Sequence, residues 1–162
     1  MIKVKVVSQA VRLVSKPKII RVKPGCYVIS RDIDNVIYTP LGTCTGVATY
    51  HPIKKIGAIH HVFMPTFTSN SVRLKATAFA DTGVPIFINE LKKIKCVDDH
   101  LEIYVVHGGM TGYTNIGNKN FFETVRALHQ LNIAIKQRLW GGKNGSSISL
   151  NIATGRFSFV NN

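Results

Sequence analysis

No stretch of this chain is apolar for long enough to cross a bilayer as a helix, which takes about 20 consecutive residues. Its start, Met1-Ile2-Lys3-Val4-Lys5-Val6-Val7, alternates lysine with apolar residues. That pattern lacks the continuous apolar segment of a secretory signal. Cysteine is scarce: Cys26, Cys44 and Cys96 are an odd number at wide spacings. No CxxC occurs and no Cys/His spacing fits a zinc site, so a disulfide framework and structural zinc are both unexpected. The pattern fits a reduced, cytoplasmic protein without metal or cofactor, in which two of the three cysteines are small buried hydrophobes. Acids are few as well. Eight Asp and Glu stand against 21 Lys and Arg, a formal charge of +13. Lys3, Lys5, Arg12, Lys16, Lys18, Arg21 and Lys23 all precede the first acid, Asp32, and Lys54-Lys55 and Lys92-Lys93-Lys95 add local clusters. Such a field attracts nucleic acid, an anionic membrane surface or an acidic protein. Aromatics are missing from the basic N-terminal stretch, where Tyr27 is the first. Nucleic-acid platforms interleave aromatic rings with cations, so a basic nucleic-acid-binding domain is the weakest of the functional readings.

What is present describes a folded core. Hydrophobic residues make up 45% of 162 and charged residues 18%, with no repeat and no low-complexity segment. One domain over 1–162 is expected. Short strands are predicted at Ile2-Val7, Ile19-Val22 and Val36-Tyr38, punctuated by Pro17 and Pro24-Gly25. Thr45-Tyr50 and Gly57-Met64 have nearly continuous apolar runs, as strands buried on both faces do. A helix is predicted from about Val72 to Lys95, either kinked at Pro85 or shortened to start near Thr82. Leu101-Val106 and Ile133-Leu139 read as strands. A second helix is expected from Lys119 or Asn120 to Gln130, with Asn120 and Glu123 resembling a capping box. Ile148-Ile152 and Arg156-Val160 form a terminal hairpin. Many strands with two main helices predict an α+β layered sandwich of mixed β-sheets.

The chemistry centres on Cys44. Leu41-Gly42-Thr43-Cys44 is a turn of small residues that delivers a thiol, and histidines follow on the apolar segment Gly57-Ala58-Ile59-His60-His61-Val62. A thiolate is a strong nucleophile, and a nearby imidazole can lower the thiol pKa and take its proton. Neighbours on a strand point to opposite faces, so one of His60 and His61 faces the sulfur, and spacing does not choose between them. His107 is a third candidate base. Gly108-Gly109-Met110-Thr111-Gly112 lacks the Lys-Ser/Thr of a P-loop. It reads as a tight turn near the site, with oxyanion donation by its N–H groups as the alternative.

These motifs in this order resemble the chemoreceptor glutamine deamidase family, CheD. Leu41-Gly42-Thr43-Cys44 resembles the family's Leu-Gly-Ser/Thr-Cys turn. Tyr50-His51-Pro52 resembles its Tyr-Asp-Pro element with His in place of Asp. Gly57-Ala58-Ile59-His60-His61-Val62-Phe63-Met64-Pro65 resembles its Gly-Gly-x-x-His-x-x-Leu-Pro element. Phe79-Ala80-Asp81, Ile88-Asn89-Glu90-Leu91, Gly108-Gly109, Ile116-Gly117-Asn118-Lys119-Asn120, Gly141-Gly142 and Ala153-Thr154-Gly155-Arg156 extend the likeness over nearly the whole chain. The resemblance implies an α+β fold and cysteine-dependent hydrolysis of selected glutamine side chains on methyl-accepting chemotaxis receptors. It implies Cys44 as nucleophile and His61 as base, and a CheC-type phosphatase as a partner. The family's third residue is a threonine just before the turn. An ungapped register puts Tyr38 there, with Thr39 one residue later. Either the Tyr38 hydroxyl substitutes, or Thr39 does through a local bulge, or the orienting group is missing. In that last case a weak or inactive module that docks on receptors or on the phosphatase is the alternative.

Overall fold

The computed structural model describes residues 16–71, 73–110 and 115–162. The strand expected at Ile2-Val7 lies outside them. Among the described residues, nine strands and two α-helices follow in chain order: β1 (Lys18–Arg21), β2 (Tyr27–Ser30), β3 (Asn35–Leu41), β4 (Thr45–His51), β5 (Ile56–Val62), α1 (Ala80–Lys93), β6 (Glu102–His107), α2 (Ile116–Gln130), β7 (Gln137–Trp140), β8 (Ser146–Asn151) and β9 (Phe157–Asn161). They form a four-stranded sheet, β1-β3-β8-β9, and a five-stranded sheet, β2-β5-β4-β6-β7. Each sheet is mixed: β1 runs parallel to β3 and β7 parallel to β6, while the other pairs are antiparallel. The architecture is the α+β sandwich of mixed sheets that the sequence predicts.

Two apolar layers hold it together. Between the sheets lie Ile37, Leu41, Ala48, Ile59, Val106, Ile148 and Leu150. Between the five-stranded sheet and the helices lie Val47, Ala58, Val84, Phe87, Leu91, Ile103, Phe121 and Leu128. The five-stranded sheet is therefore covered on both sides, and every residue of β4 and β5 is buried. That is why their sequences read as apolar runs rather than alternating patterns. Alternation persists in which layer each residue meets: Ala58 and Val62 face the helices, and Ile59 faces the other sheet. Gly46 and Gly57 let the sheets close. A Cβ on Gly46 would stand 2.7 Å from Ile148 Cδ1, and one on Gly57 would stand 2.5 Å from Ile152 Cδ1.

The helices differ from expectation at their starts. α1 begins at Ala80, later than Val72 and earlier than Thr82, and carries Pro85 inside. Val72 itself lies outside the described residues. Residues 76–78 form a separate 3-10 turn ahead of α1. The end of α1 at Lys93 agrees with expectation, and Lys95 beyond it takes a left-handed φ of 54°. α2 begins at Ile116, one turn earlier than its Asn120-Glu123 signal suggests. Asn120 is thus an interior helical residue and not a cap. β2 has no counterpart among the predicted strands. It is four residues long and follows Gly25, whose φ is 73°.

Candidate active site

Cys44 sits where the chain steps from one sheet to the other. β3 ends at Leu41 in the four-stranded sheet and β4 starts at Thr45 in the five-stranded sheet. Gly42, Thr43 and Cys44 make the crossing. The thiol joins the inter-sheet layer with Leu41, Ala48 and Ile148. In the β4–β5 ladder His61 lies opposite Gly46, two residues beyond Cys44. Residues i and i+2 of a strand share a face, so the imidazole enters the inter-sheet layer on the side of the sulfur. Thr39 reaches the same layer from β3 of the other sheet. Its Oγ1 is 2.7 Å from His61 Nδ1 and 2.9 Å from the Val22 carbonyl. The three groups are shielded from bulk water, at 8%, 3% and 0% exposure for Cys44, His61 and Thr39.

One imidazole tautomer satisfies both of these contacts. Thr39 has one hydroxyl proton and donates it to the Val22 carbonyl. Its oxygen then accepts from His61 Nδ1–H. Nε2 is left with its lone pair, buried and without a hydrogen-bond partner among the described residues. No hydrogen bond joins this nitrogen to the Cys44 thiol, but an unpartnered basic nitrogen on the same face of the sheet is what a proton acceptor needs. Burial governs the charge state of both groups. It pushes the Cys44 thiol up to about 11. It also brings His61 down to about 4, against a smaller upward pull from the Val22 carbonyl. Burial thus favours a neutral thiol and a neutral imidazole, not the lowered thiol that an imidazole partner predicts. Desolvation of both charged forms is the reason.

The other sequence candidates fall elsewhere. Tyr38 alternates with Thr39 along β3 and is half-buried on the opposite face, away from His61. It is paired in register with Arg21 and Ser149. β3 pairs with β8 continuously from Val36 to Leu41, so Thr39 faces the inter-sheet layer with no bulge. His60 faces the helices. Its Nε2–H donates to the Thr77 carbonyl at 2.7 Å, and its ring lies 5.2 Å from that of Phe87. His107 also faces the helices, with its ring 5.8 Å from Phe121 and 4.8 Å from Trp140, and its Nε2 3.0 Å from Asn118 Oδ1. Gly108 forms a close turn: its N–H donates to the Cys44 carbonyl at 3.0 Å. That N–H is therefore not free to serve an oxyanion. A Cβ on Gly108 would meet the Gly42 and Cys44 carbonyl oxygens at 2.4 and 2.5 Å. Cys96 is buried on the helix side, and Cys26 is half-buried.

One residue at the site, read from sequence as a cap and as the end of the Ile116-Gly117-Asn118-Lys119-Asn120 element, has a contact that the sequence did not show. The Asn120 side chain is fully buried, and its Nδ2 donates to the carbonyls of Thr43 at 3.1 Å and Phe63 at 2.9 Å. The signal that could have found it is a carboxamide on the apolar face of an amphipathic helix, where capping is not available. Away from the site, His51, Asp98 and His100 offer ligand atoms within 4.8 Å of one another. The His51 ring and the Lys54 ammonium both bond Asp98 Oδ2, at 2.9 and 3.0 Å. These bonds hold the Asp98 carboxyl far below the usual carboxylate range. The cluster is an ion-paired clasp between the end of β4 and the loop after α1.

Fold and site together define an α+β sandwich whose inter-sheet layer holds a thiol, an imidazole and a hydroxyl drawn from both sheets. Residues 63–160 match the family model for CheD chemotactic sensory transduction. A probable chemoreceptor glutamine deamidase CheD of Desulforamulus reducens is 30% identical over 137 residues, covering 80% of this chain and 82% of its own. A protein of the same name from Clostridium botulinum strain Hall is 27% identical over 135 residues, covering 79% of this chain and 83% of its own. The chain belongs to the CheD family. The family-model match begins at Phe63, after both Cys44 and His61. Among solved structures, the hypothetical protein YfiH of Bacillus licheniformis gives a TM-score of 0.37 at 8% identity over 57% of this chain and 37% of its own, too slight a likeness to carry an argument. No helix among the described residues is long and apolar enough to cross a membrane.

Proposed function

We propose that this protein hydrolyses the carboxamides of specific glutamine side chains on methyl-accepting chemotaxis receptors, giving glutamate and ammonia. The observation that carries the reading is the bond from His61 Nδ1–H to Thr39, which leaves Nε2 free on the face of the Cys44 sulfur. In the first step Cys44 Sγ attacks the carboxamide carbon as its proton passes to His61 Nε2. With both groups neutral at rest, proton transfer accompanies the attack instead of preceding it. The tetrahedral oxyanion collapses, His61 returns its proton to the nitrogen, and ammonia leaves a thioester. Water, deprotonated by the same nitrogen, then releases the glutamate and restores the thiol. Thr39 keeps the imidazole in the productive tautomer throughout. The Thr43 and Cys44 N–H groups meet no backbone acceptor among the described residues, which suits them to hold the oxyanion.

The family name of its relatives supports chemoreceptors as the substrate. A net charge of +13 favours encounter with acidic receptor segments. A CheC-type phosphatase is proposed as a second partner on the family resemblance. The test mixes purified protein with receptor fragments and follows ammonia release and conversion of glutamine to glutamate by mass spectrometry. Cys44→Ala is expected to abolish both, and equal activity in Cys44→Ala and the parent would sink the reading. The raised thiol favours one competitor, a docking module without hydrolysis. It predicts receptor binding in both proteins and ammonia from neither.

A further inference from the structure

Asn120 is a carboxamide inside the second turn of α2, on the face that packs against the five-stranded sheet. It is 0% exposed. A fully buried amide in a helix interior is costly unless its polar atoms are satisfied. Its Oδ1 has no partner among the described residues, but both Nδ2 hydrogens are bonded, and both acceptors lie beside the reactive groups. One hydrogen of Nδ2 goes to the Thr43 carbonyl at 3.1 Å and the other to the Phe63 carbonyl at 2.9 Å. Thr43 immediately precedes Cys44, and Phe63 follows His61 by two residues. One side chain thus ties the nucleophile's turn to the end of the strand that carries the base. α2 is itself seated closely. A Cβ on Gly117 would stand 2.7 Å from the Gly109 carbonyl oxygen, so the helix start lies directly on the Gly108-Gly109 turn that bonds the Cys44 carbonyl.

The bond to Thr43 has a further effect. The Thr43 carbonyl and the Cys44 N–H belong to one planar trans peptide, in which they point in opposite directions. Fixing the carbonyl toward α2 turns the Cys44 N–H away from α2, toward the side the thiol occupies. An accepted hydrogen bond also polarises the peptide and strengthens its N–H as a donor. We propose that Asn120 is a positioning residue that sets the Thr43–Cys44 peptide plane, so that the Cys44 N–H meets the oxyanion formed when the thiol attacks an acyl carbon. This rests on the reading of Cys44 as an acyl-transfer nucleophile.

The experiment separates acyl chemistry from simple thiol reactivity. Cys44 is acylated with p-nitrophenyl acetate, which passes through a tetrahedral oxyanion, and alkylated with iodoacetamide, a displacement at saturated carbon that forms none. Both rates are measured in the parent, Asn120→Ala and Asn120→Gln, with melting temperatures alongside. Acylation is expected to fall about 100-fold in both variants, as loss of one oxyanion donor does. Alkylation should stay within about threefold, because it draws nothing from that donor. Asn120→Gln keeps the carboxamide and its polarity, so it reports on position even if the alanine variant folds poorly. A parallel fall in the two reactions, or acylation within about threefold of the parent in Asn120→Gln, would overturn the proposal. Neither probe needs a receptor. Failure of the parent to release ammonia from receptor fragments would remove the deamidase reading while leaving this result standing.

Discussion

At the scale of the residue, the decisive contact is the one between Thr39 and His61. Tyr38 and Thr39 are adjacent, and the motif register prefers the tyrosine. A strand reverses its side chains at each step, and which parity faces inward depends on the partner strand, here β8. Sequence order carries no information about that partner, so the choice was not legible. The same parity places His61 with the sulfur and His60 with Phe87. Thr39→Val keeps the volume and removes the hydroxyl. It is expected to lower kcat about 100-fold, because the imidazole loses the acceptor that holds its tautomer. Thr39→Ser, which restores the hydroxyl, is expected to recover most of that activity. Ammonia release under saturating receptor fragment checks both, and equal rates in the valine and serine variants would remove the orienting role.

At the scale of the element, legibility followed burial. β4 and β5 were readable because both of their faces are covered, which leaves an uninterrupted apolar run. The body and end of α1 were readable from the spacing of Phe79, Val84, Phe87 and Leu91. Its start was not, because the 3-10 turn at 76–78 shares the same apolar signal. Asn120 was misread for a related reason. Asn followed by Glu three residues later looks the same in a helix cap as in a helix interior that serves a distant loop. Glycine turns show the reverse case, where a motif had a steric cause. At Gly108 a side chain would strike the carbonyls of Gly42 and Cys44, which are backbone atoms with nowhere to rotate. Gly108→Ala is expected to destabilise the fold by about 2 kcal/mol and to lower the Cys44 alkylation rate by displacing its turn. Urea unfolding and iodoacetamide labelling measure the two effects. An unchanged labelling rate would uncouple this turn from the site.

At the scale of the whole molecule, buried histidines shape the response to acid: burial lowers His60, His61 and His107 alike. His60 and His61 are each brought down from 6.5 to about 4, chiefly by desolvation. Both are neutral in the fold and take up protons more readily once unfolded. Their contribution to stability is complete above pH 6.5 and shrinks as pH falls toward 4. Below that, no further loss comes from these two groups. At pH 5 the loss is about 2 kcal/mol per histidine. Chemical denaturation at pH 7 and pH 5 measures it. A His61→Gln variant, which cannot titrate at that position, should show a drop smaller than the parent's by about 2 kcal/mol. Its showing the whole drop would reassign the effect to other groups.

The crossing at Gly42, Thr43 and Cys44 measures out a fixed span, with one layer anchored at Leu41 and the next at Thr45. A residue inserted between Cys44 and Thr45 would turn the sulfur to the other face of the strand and out of register with the ring across from Gly46. This short linker therefore works as a ruler whose last step, from Cys44 to Thr45, sets which layer the thiol enters.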